Sequence, residues 1–197
     1  MGEPLLRLEN LQTRWTAESP IVGPVTLQVS RGEVIGLRGP NGVGKSTVLA
    51  AIASLSQVVA GEIWQKENCL VTLQSQQQPS LQGLPLNGHE LLELTGASCN
   101  GLPHWLIDKL PFRLDQLSGG QRQYLVLWTV LNSKADLILL DEPSNNLDLA
   151  GSQHLVSAIR QRAAQGAGIL LVSHEAELLE QACDHHVDLS HGGYPRA

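Results

Sequence analysis

The residues Gly39-Pro40-Asn41-Gly42-Val43-Gly44-Lys45-Ser46-Thr47 fit the pattern G-x-x-x-x-G-K-[ST] in full. A phosphate chain is dense in negative charge and acceptor oxygens. Backbone N–H groups can wrap it only where no Cβ intervenes, which is the use of Gly42 and Gly44. Lys45 can reach the outer phosphates, and the Ser46 hydroxyl can ligate Mg²⁺. A second pair, Asp141-Glu142, closes the apolar run Leu137-Ile138-Leu139-Leu140. Two carboxylates at a strand end suit Mg²⁺ chemistry: Asp141 to hold the ion, Glu142 to polarise a water for attack on a γ-phosphate. Acidic pairs often end strands, so this signal gains its force from the phosphate loop upstream.

Such residues need rigid elements behind them. Residues 33–38 read as a strand entering the loop, and residues 46–55 as a helix leaving it, with Val48, Leu49, Ile52 and Leu55 on one face. The positive end of that helix would add to phosphate attraction. Residues 135–140 and 168–173 read as buried strands. Residues 152–164 read as a helix with Leu155, Ile159 and Ala163 four apart. Shorter strands are expected at 5–8, 25–29, 61–64, 69–73 and 187–189. A Gln-rich loop follows over 74–81. Residues 86–116 are broken by Gly88, Gly96, Gly101, Pro103 and Pro111, with short helical stretches at 89–94 and 104–110. An apolar helix should run from the Gly119-Gly120 pair to Leu131. Strands alternating with helices imply a largely parallel sheet whose ligands sit at the strands' carboxyl edge.

Composition narrows the function classes. At 197 residues the chain is long enough for one well-packed domain. Net charge is −6 with no long basic run, which argues against broad binding of nucleic acid. No basic-then-apolar leader opens the chain, and no run of ~18 apolar residues could cross a bilayer. Cys69, Cys99 and Cys183 are scattered, as expected of reduced thiols in the cytoplasm. Asp184, His185, His186 and His191 could be read as a metal site, but read more simply as polar flanks of the last strand.

With the loop and the acidic pair in place, Leu117-Ser118-Gly119-Gly120-Gln121 completes a set. The chain resembles the ATP-binding subunits of ABC transporters, whose signature is LSGGQ. The resemblance runs over about residues 5–191. It includes Ser144-Asn145-Asn146-Leu147-Asp148 and Ser173-His174. It implies an α/β fold: a P-loop NTPase core with a mainly parallel sheet, an N-terminal antiparallel β part, and a small helical subdomain. Residues 1–76 and 132–197 would form the core and 77–131 the helical part. It implies ATP and Mg²⁺ as ligands. The nucleotide would be held by Trp15 stacking on adenine, by residues 39–47, and by Ser118, Gly119, Gly120, Gln121 and Asp148. Of these, the signature would serve ATP held by a second copy in a head-to-tail dimer. It implies Glu142 as base, His174 as the switch histidine, and a sensor glutamine near Mg²⁺ and the attacking water. Gln74, Gln76, Gln77 and Gln78 compete for that last role. Spacing to Gly61 and to 84–86 favours Gln76, with Gln74 next. Ser46, Gln76 and Asp141 would form the metal set. A membrane-spanning permease would dock beside residues 76–110, with Leu81 and Leu84 the expected contacts. The chain would then lie at the inner face of the cell membrane.

Five positions depart from the family pattern. Glu175 stands where Asp is usual after the switch histidine. Asn145-Asn146 replaces Ser-Ala. Tyr124 and Thr129 replace arginines on the signature helix. A second reading is a soluble relative acting on a macromolecular complex, as in translation or DNA repair. A third is a nucleotide-binding regulator without hydrolysis, against which Glu142 and His174 both argue.

Overall fold

A computed structural model of the chain describes residues 2–76 and 85–189. Its centre is set by runs too apolar to face water on either side. Strand β6 (Leu137–Asp141) and strand β7 (Gly168–Val172) are buried at every residue. They stand at the middle of a five-stranded parallel sheet, flanked by β3 (Val34–Arg38), β5 (Val71–Gln74) and β8 (His185–Asp188), in the order β5-β6-β7-β3-β8. Period-two alternation splits the sheet's two faces. Ile35, Leu37, Leu137, Leu139, Leu170 and Val172 pack on one side, with Val48, Leu49 and Ile52 of helix α1 (Lys45–Ile52). Val34, Ile138, Leu140, Ile169 and Leu171 pack on the other.

That second side is covered by α4 (Gly119–Leu131), α5 (Leu149–Ala164) and α6 (Ala176–Ala182). The same apolar cluster continues into α2 (Gly88–Thr95) and α3 (His104–Ile107) through Leu92, Leu102, Leu106 and Leu110. A separate antiparallel sheet, β2-β1-β4, is built from β1 (Pro4–Arg14), β2 (Val22–Ser30) and β4 (Gln57–Gln65). Leu6, Leu8, Leu11, Val25, Leu27 and Val29 close it over α1.

Register places the chemistry. Leu37 and Asp141 both lie beside Val172, and Gln74 lies beside Leu140. The carboxyl ends of β3, β5, β6 and β7 therefore come out along one edge, the edge where open parallel sheets bind ligands.

Several boundaries differ from expectation, each for a local reason. Helix α1 stops at Ile52, because Ser54 adopts φ 60° and the Leu55 amide turns back to the Ala50 carbonyl. Leu55 is left 64% exposed instead of joining the buried face. Strand β5 begins at Val71, not at 69. The Leu70 carbonyl accepts from the Asp136 and Leu137 amides, and the Leu70 amide donates to the Asp136 carboxylate, so pairing starts one residue on. The last strand is β8, earlier than 187–189 and aligned with Ile35 at His185. Helix α5 starts at Leu149, capped by Asp148, whose carboxylate accepts the Gly151 amide at 2.8 Å. Helix α6 carried no signal strong enough to be read in advance. His191, Leu81 and Leu84 lie outside the described residues.

Candidate active site at the sheet edge

The loop between β3 and α1 folds as a glycine loop must. Gly42 and Gly44 adopt φ 80° and 101°, in the left-handed region that L side chains avoid. A side chain at Gly44 would also run into Val22. Lys45 is buried, and its ammonium donates to the Gly39 carbonyl at 2.8 Å and the Pro40 carbonyl at 3.1 Å. Two of its three donors thus brace the loop that it follows.

Strand β6 delivers its carboxylates beneath that loop. The Ser46 hydroxyl donates to Asp141 Oδ1 at 3.1 Å. Burial pushes the Asp141 carboxyl above its ordinary range, opposed by that hydroxyl, while the neighbouring Glu142 charge pushes the same way as burial. The Gln76 amide adds a further opposing hydrogen bond. Glu142 is buried at φ 50°, a conformation uncommon outside glycine. Its Oε2 accepts from the His174 amide at 3.2 Å and lies 2.7 Å from His174 Nδ1. The ring and the carboxylate are therefore held together as a pair, with the His174 amide a second tie to the same oxygen. Hard oxygen donors, Ser46 Oγ and the Asp141 carboxylate, already touch each other; that donor set fits Mg²⁺.

These groups surround one cavity of about 480 Å³, lined by Asn41, Gly42, Gly44, Lys45, Ser46, Thr47, Gln76, Glu142, Asn145, Val172 and His174. Of the competing glutamines, Gln76 lines the cavity. Gln74 is buried at the end of β5, with its Nε2 turned onto the Ser75 carbonyl. Gln77 and Gln78 lie outside the described residues. Val43 packs inward toward α1, away from the lining. Asn145 and Val172 were not among the expected site residues. Asn145 stood out in the sequence only as a departure. Val172 became visible only through its register opposite Leu37 and Asp141.

Other expected residues stand apart from this cavity. Trp15 lies just beyond β1 and is 54% exposed. Ser118 caps α4: its hydroxyl accepts the Gln121 amide, and Gln121 Oε1 accepts the Ser118 amide. Ser118 and Gly119 are exposed at that helix start, and neither they nor Gly120, Gln121 or Asp148 line the cavity. Farther along α4, Tyr124 and Trp128 are buried. Tyr124 meets Trp105 edge-on at 5.3 Å, and Trp128 Nε1 donates to the Ser98 carbonyl at 2.7 Å. Where the family pattern has arginine at 124, this chain therefore packs α4 against α3 with an aromatic pair. Thr129 turns its hydroxyl onto the Val126 carbonyl within the helix.

A phosphate-type loop, a paired carboxylate strand end and an outward-facing capped glycine helix define a nucleotide-handling α/β protein. The ABC transporter family model matches residues 22–145. A zinc import ATP-binding protein, ZnuC, of Marinobacter nauticus is 32% identical over 99% of this chain and 79% of its own length. Among solved structures, an ATP-binding subunit of an ABC transporter superposes with TM-score 0.77 at 26% identity, covering 94% of this chain and 85% of its own. RNase-L Inhibitor superposes with TM-score 0.78 at 25% identity, over 95% of this chain and 37% of its own. The chain belongs to the ABC transporter family, as one of its ATP-binding subunits, an ATPase.

Proposed function

We propose that the sheet-edge cavity is the hydrolytic site for ATP carried with Mg²⁺, and that turnover drives solute through a separate membrane-spanning permease. The observation that carries this is the convergence of Gly42, Gly44, Lys45, Ser46, Glu142 and His174 on one cavity, with Asp141 bonded to Ser46 beneath it. The glycine-loop amides and Lys45 would take the phosphate oxygens. Ser46, Asp141 and Gln76 would hold Mg²⁺, which when bound neutralises charge on the phosphate chain. Glu142 would accept a proton from water as its oxygen bonds to the γ-phosphorus and the bond to the bridging oxygen breaks. His174, beside Glu142, would contact the γ-phosphate.

The chain works, on this reading, as a head-to-tail dimer. Ser118, Gly119, Gly120 and Gln121 lie outside the cavity yet open a thirteen-residue helix at the surface. Such a helix start favours an anion. It reaches ATP only when that ATP is held by a second copy, with Asp148 beside the seam. Residues 77–131 serve as the helical part of a single ATPase domain. Among the described residues no helix is long and apolar enough to cross a membrane. On this reading the permease is a separate chain. The assembly sits at the inner face of the cell membrane. The zinc-import relative supports a metal ion as the solute.

The test is Glu142→Gln, which keeps shape and removes the base. ATP binding should persist, ATP-bound dimers should accumulate, and turnover should fall by at least ~10²-fold. Lys45→Ala should instead weaken binding itself. Near-normal hydrolysis by Glu142→Gln would remove Glu142 from the role of base.

A further inference from the structure

The loop that carries Glu142 out of β6 is an uncommon piece of backbone. Both of its ends, Glu142 at φ 50° and Asn146 at φ 64°, lie in the left-handed region. Such residues persist where surrounding contacts over-determine them. Within the loop, the Asn145 amide donates to the Glu142 carbonyl at 3.3 Å and the Leu147 amide to the Ser144 carbonyl at 2.9 Å. On the side of β7, Ser144 Oγ donates to Glu175 Oε1 at 2.7 Å, and the Glu175 amide donates to Ser173 Oγ at 3.0 Å.

The other side is held by α4. Gln123 Oε1 accepts from Asn146 Nδ2 at 3.0 Å, and Gln123 Nε2 donates to the Pro143 carbonyl at 3.4 Å. The Asn146 carbonyl sits over Gly120, where a Cβ would come within 2.6 Å of it. One glutamine one turn into α4 thus grips the loop at two points. Neither Gln123 nor Asn146 lines the cavity. Asn146 is exposed, so its bond adds little to global stability, and its effect should be local.

We propose that Gln123 and Asn146 are positioning residues for hydrolysis: their side-chain bond fixes loop 142–146 against α4 and so sets where the Glu142 carboxylate stands. The proposal rests on the role of Glu142 as base given above. Asn146, a departure from the family pattern, is on this view the donor that makes the grip possible. An alanine there, as in that pattern, has no amide to give.

The experiment uses the full chain and four variants: Gln123→Ala, Asn146→Ala, the double alanine variant, and Gln123→Glu. Asn146→Ala should lower kcat about three- to tenfold, the effect of one hydrogen bond on a barrier, and Gln123→Ala, which also loses the bond to Pro143, at least as much. KM for ATP should stay within about twofold, since nothing that touches nucleotide is changed. The double variant should be no slower than the worse single one, because both remove the same bond. Gln123→Glu keeps the acceptor for Asn146 but cannot donate to the Pro143 carbonyl, so its rate should lie between those of the parent chain and Gln123→Ala. Tm should move little in all four. Amide exchange over 142–147, measured without nucleotide, should quicken in the alanine variants. An unchanged kcat, additive losses, or losses that follow Tm would overturn the proposal. If Glu142→Gln proves as fast as the parent chain, the base assignment falls. The exchange data would then still decide whether the grip holds the loop: unchanged exchange would overturn it as well.

Discussion

At the scale of single residues, Asp141 shows how function opposes stability. Its carboxyl is buried and raised above the ordinary range, chiefly by burial. A carboxyl raised on folding holds its proton more tightly in the native state than in the unfolded chain. That favours the fold at low pH and is lost as pH rises through the raised value. Asp141→Asn should therefore raise Tm of the nucleotide-free protein at neutral pH by a few degrees. The gain should vanish as pH falls below the ordinary carboxylate range, where the parent chain is also neutral. Thermal melts of both chains across pH check this; a gain independent of pH would contradict it. The same variant should lose Mg²⁺-dependent turnover. Trp15 offers a second prediction. If its exposed ring stacks on adenine, Trp15→Ala should weaken ATP binding by roughly 1–3 kcal/mol, and an unchanged Kd would return it to packing. Much of the cavity was legible because its parts are contiguous in sequence: 39–47, 141–142 and 174. Spacing favours Gln76 over Gln74 as the sensor glutamine, and Gln76 lies in the cavity lining. Val172 was illegible because its place comes from strand register, which no local pattern encodes.

At the scale of elements, strands buried on both faces announced themselves, since only apolar runs can fill such positions. Ends did not. Helix α1 stops where backbone turns at Ser54, and β5 starts where Asp136 takes the Leu70 amide; both are decided by contacts distant in sequence or by one dihedral. Helix α6, seven residues long, was too short for a period to emerge. Helix α4 carries the element-scale prediction. The Tyr124 phenol is buried without a hydrogen-bond partner among the described residues, and burial pushes its pKa up to about 12. Its ring packs on Trp105, but its hydroxyl is a cost. Tyr124→Phe should keep the ring contact and raise Tm by a few degrees, with kcat unchanged. A lower Tm would mean that the hydroxyl does find a partner.

At the scale of the whole molecule, the proposed function requires a second copy of the chain. The cavity lies along the sheet edge, and the capped glycine start of α4 is exposed outside its lining. A low charge content of 16% with a net charge of −6 suits protein partners better than a phosphate backbone. The central claim is that two copies share each ATP, and mixing tests it most directly. Lys45→Ala spoils the loop and leaves the signature; Ser118→Arg spoils the signature and leaves the loop. A mixed dimer keeps one composite site whole and spoils the other twice. Specific ATPase rate should rise with chain concentration for the parent protein. Neither variant alone should trap ATP between subunits, and the mixture should trap one ATP per mixed dimer. A specific rate independent of concentration, with no trapping on mixing, would contradict the shared site.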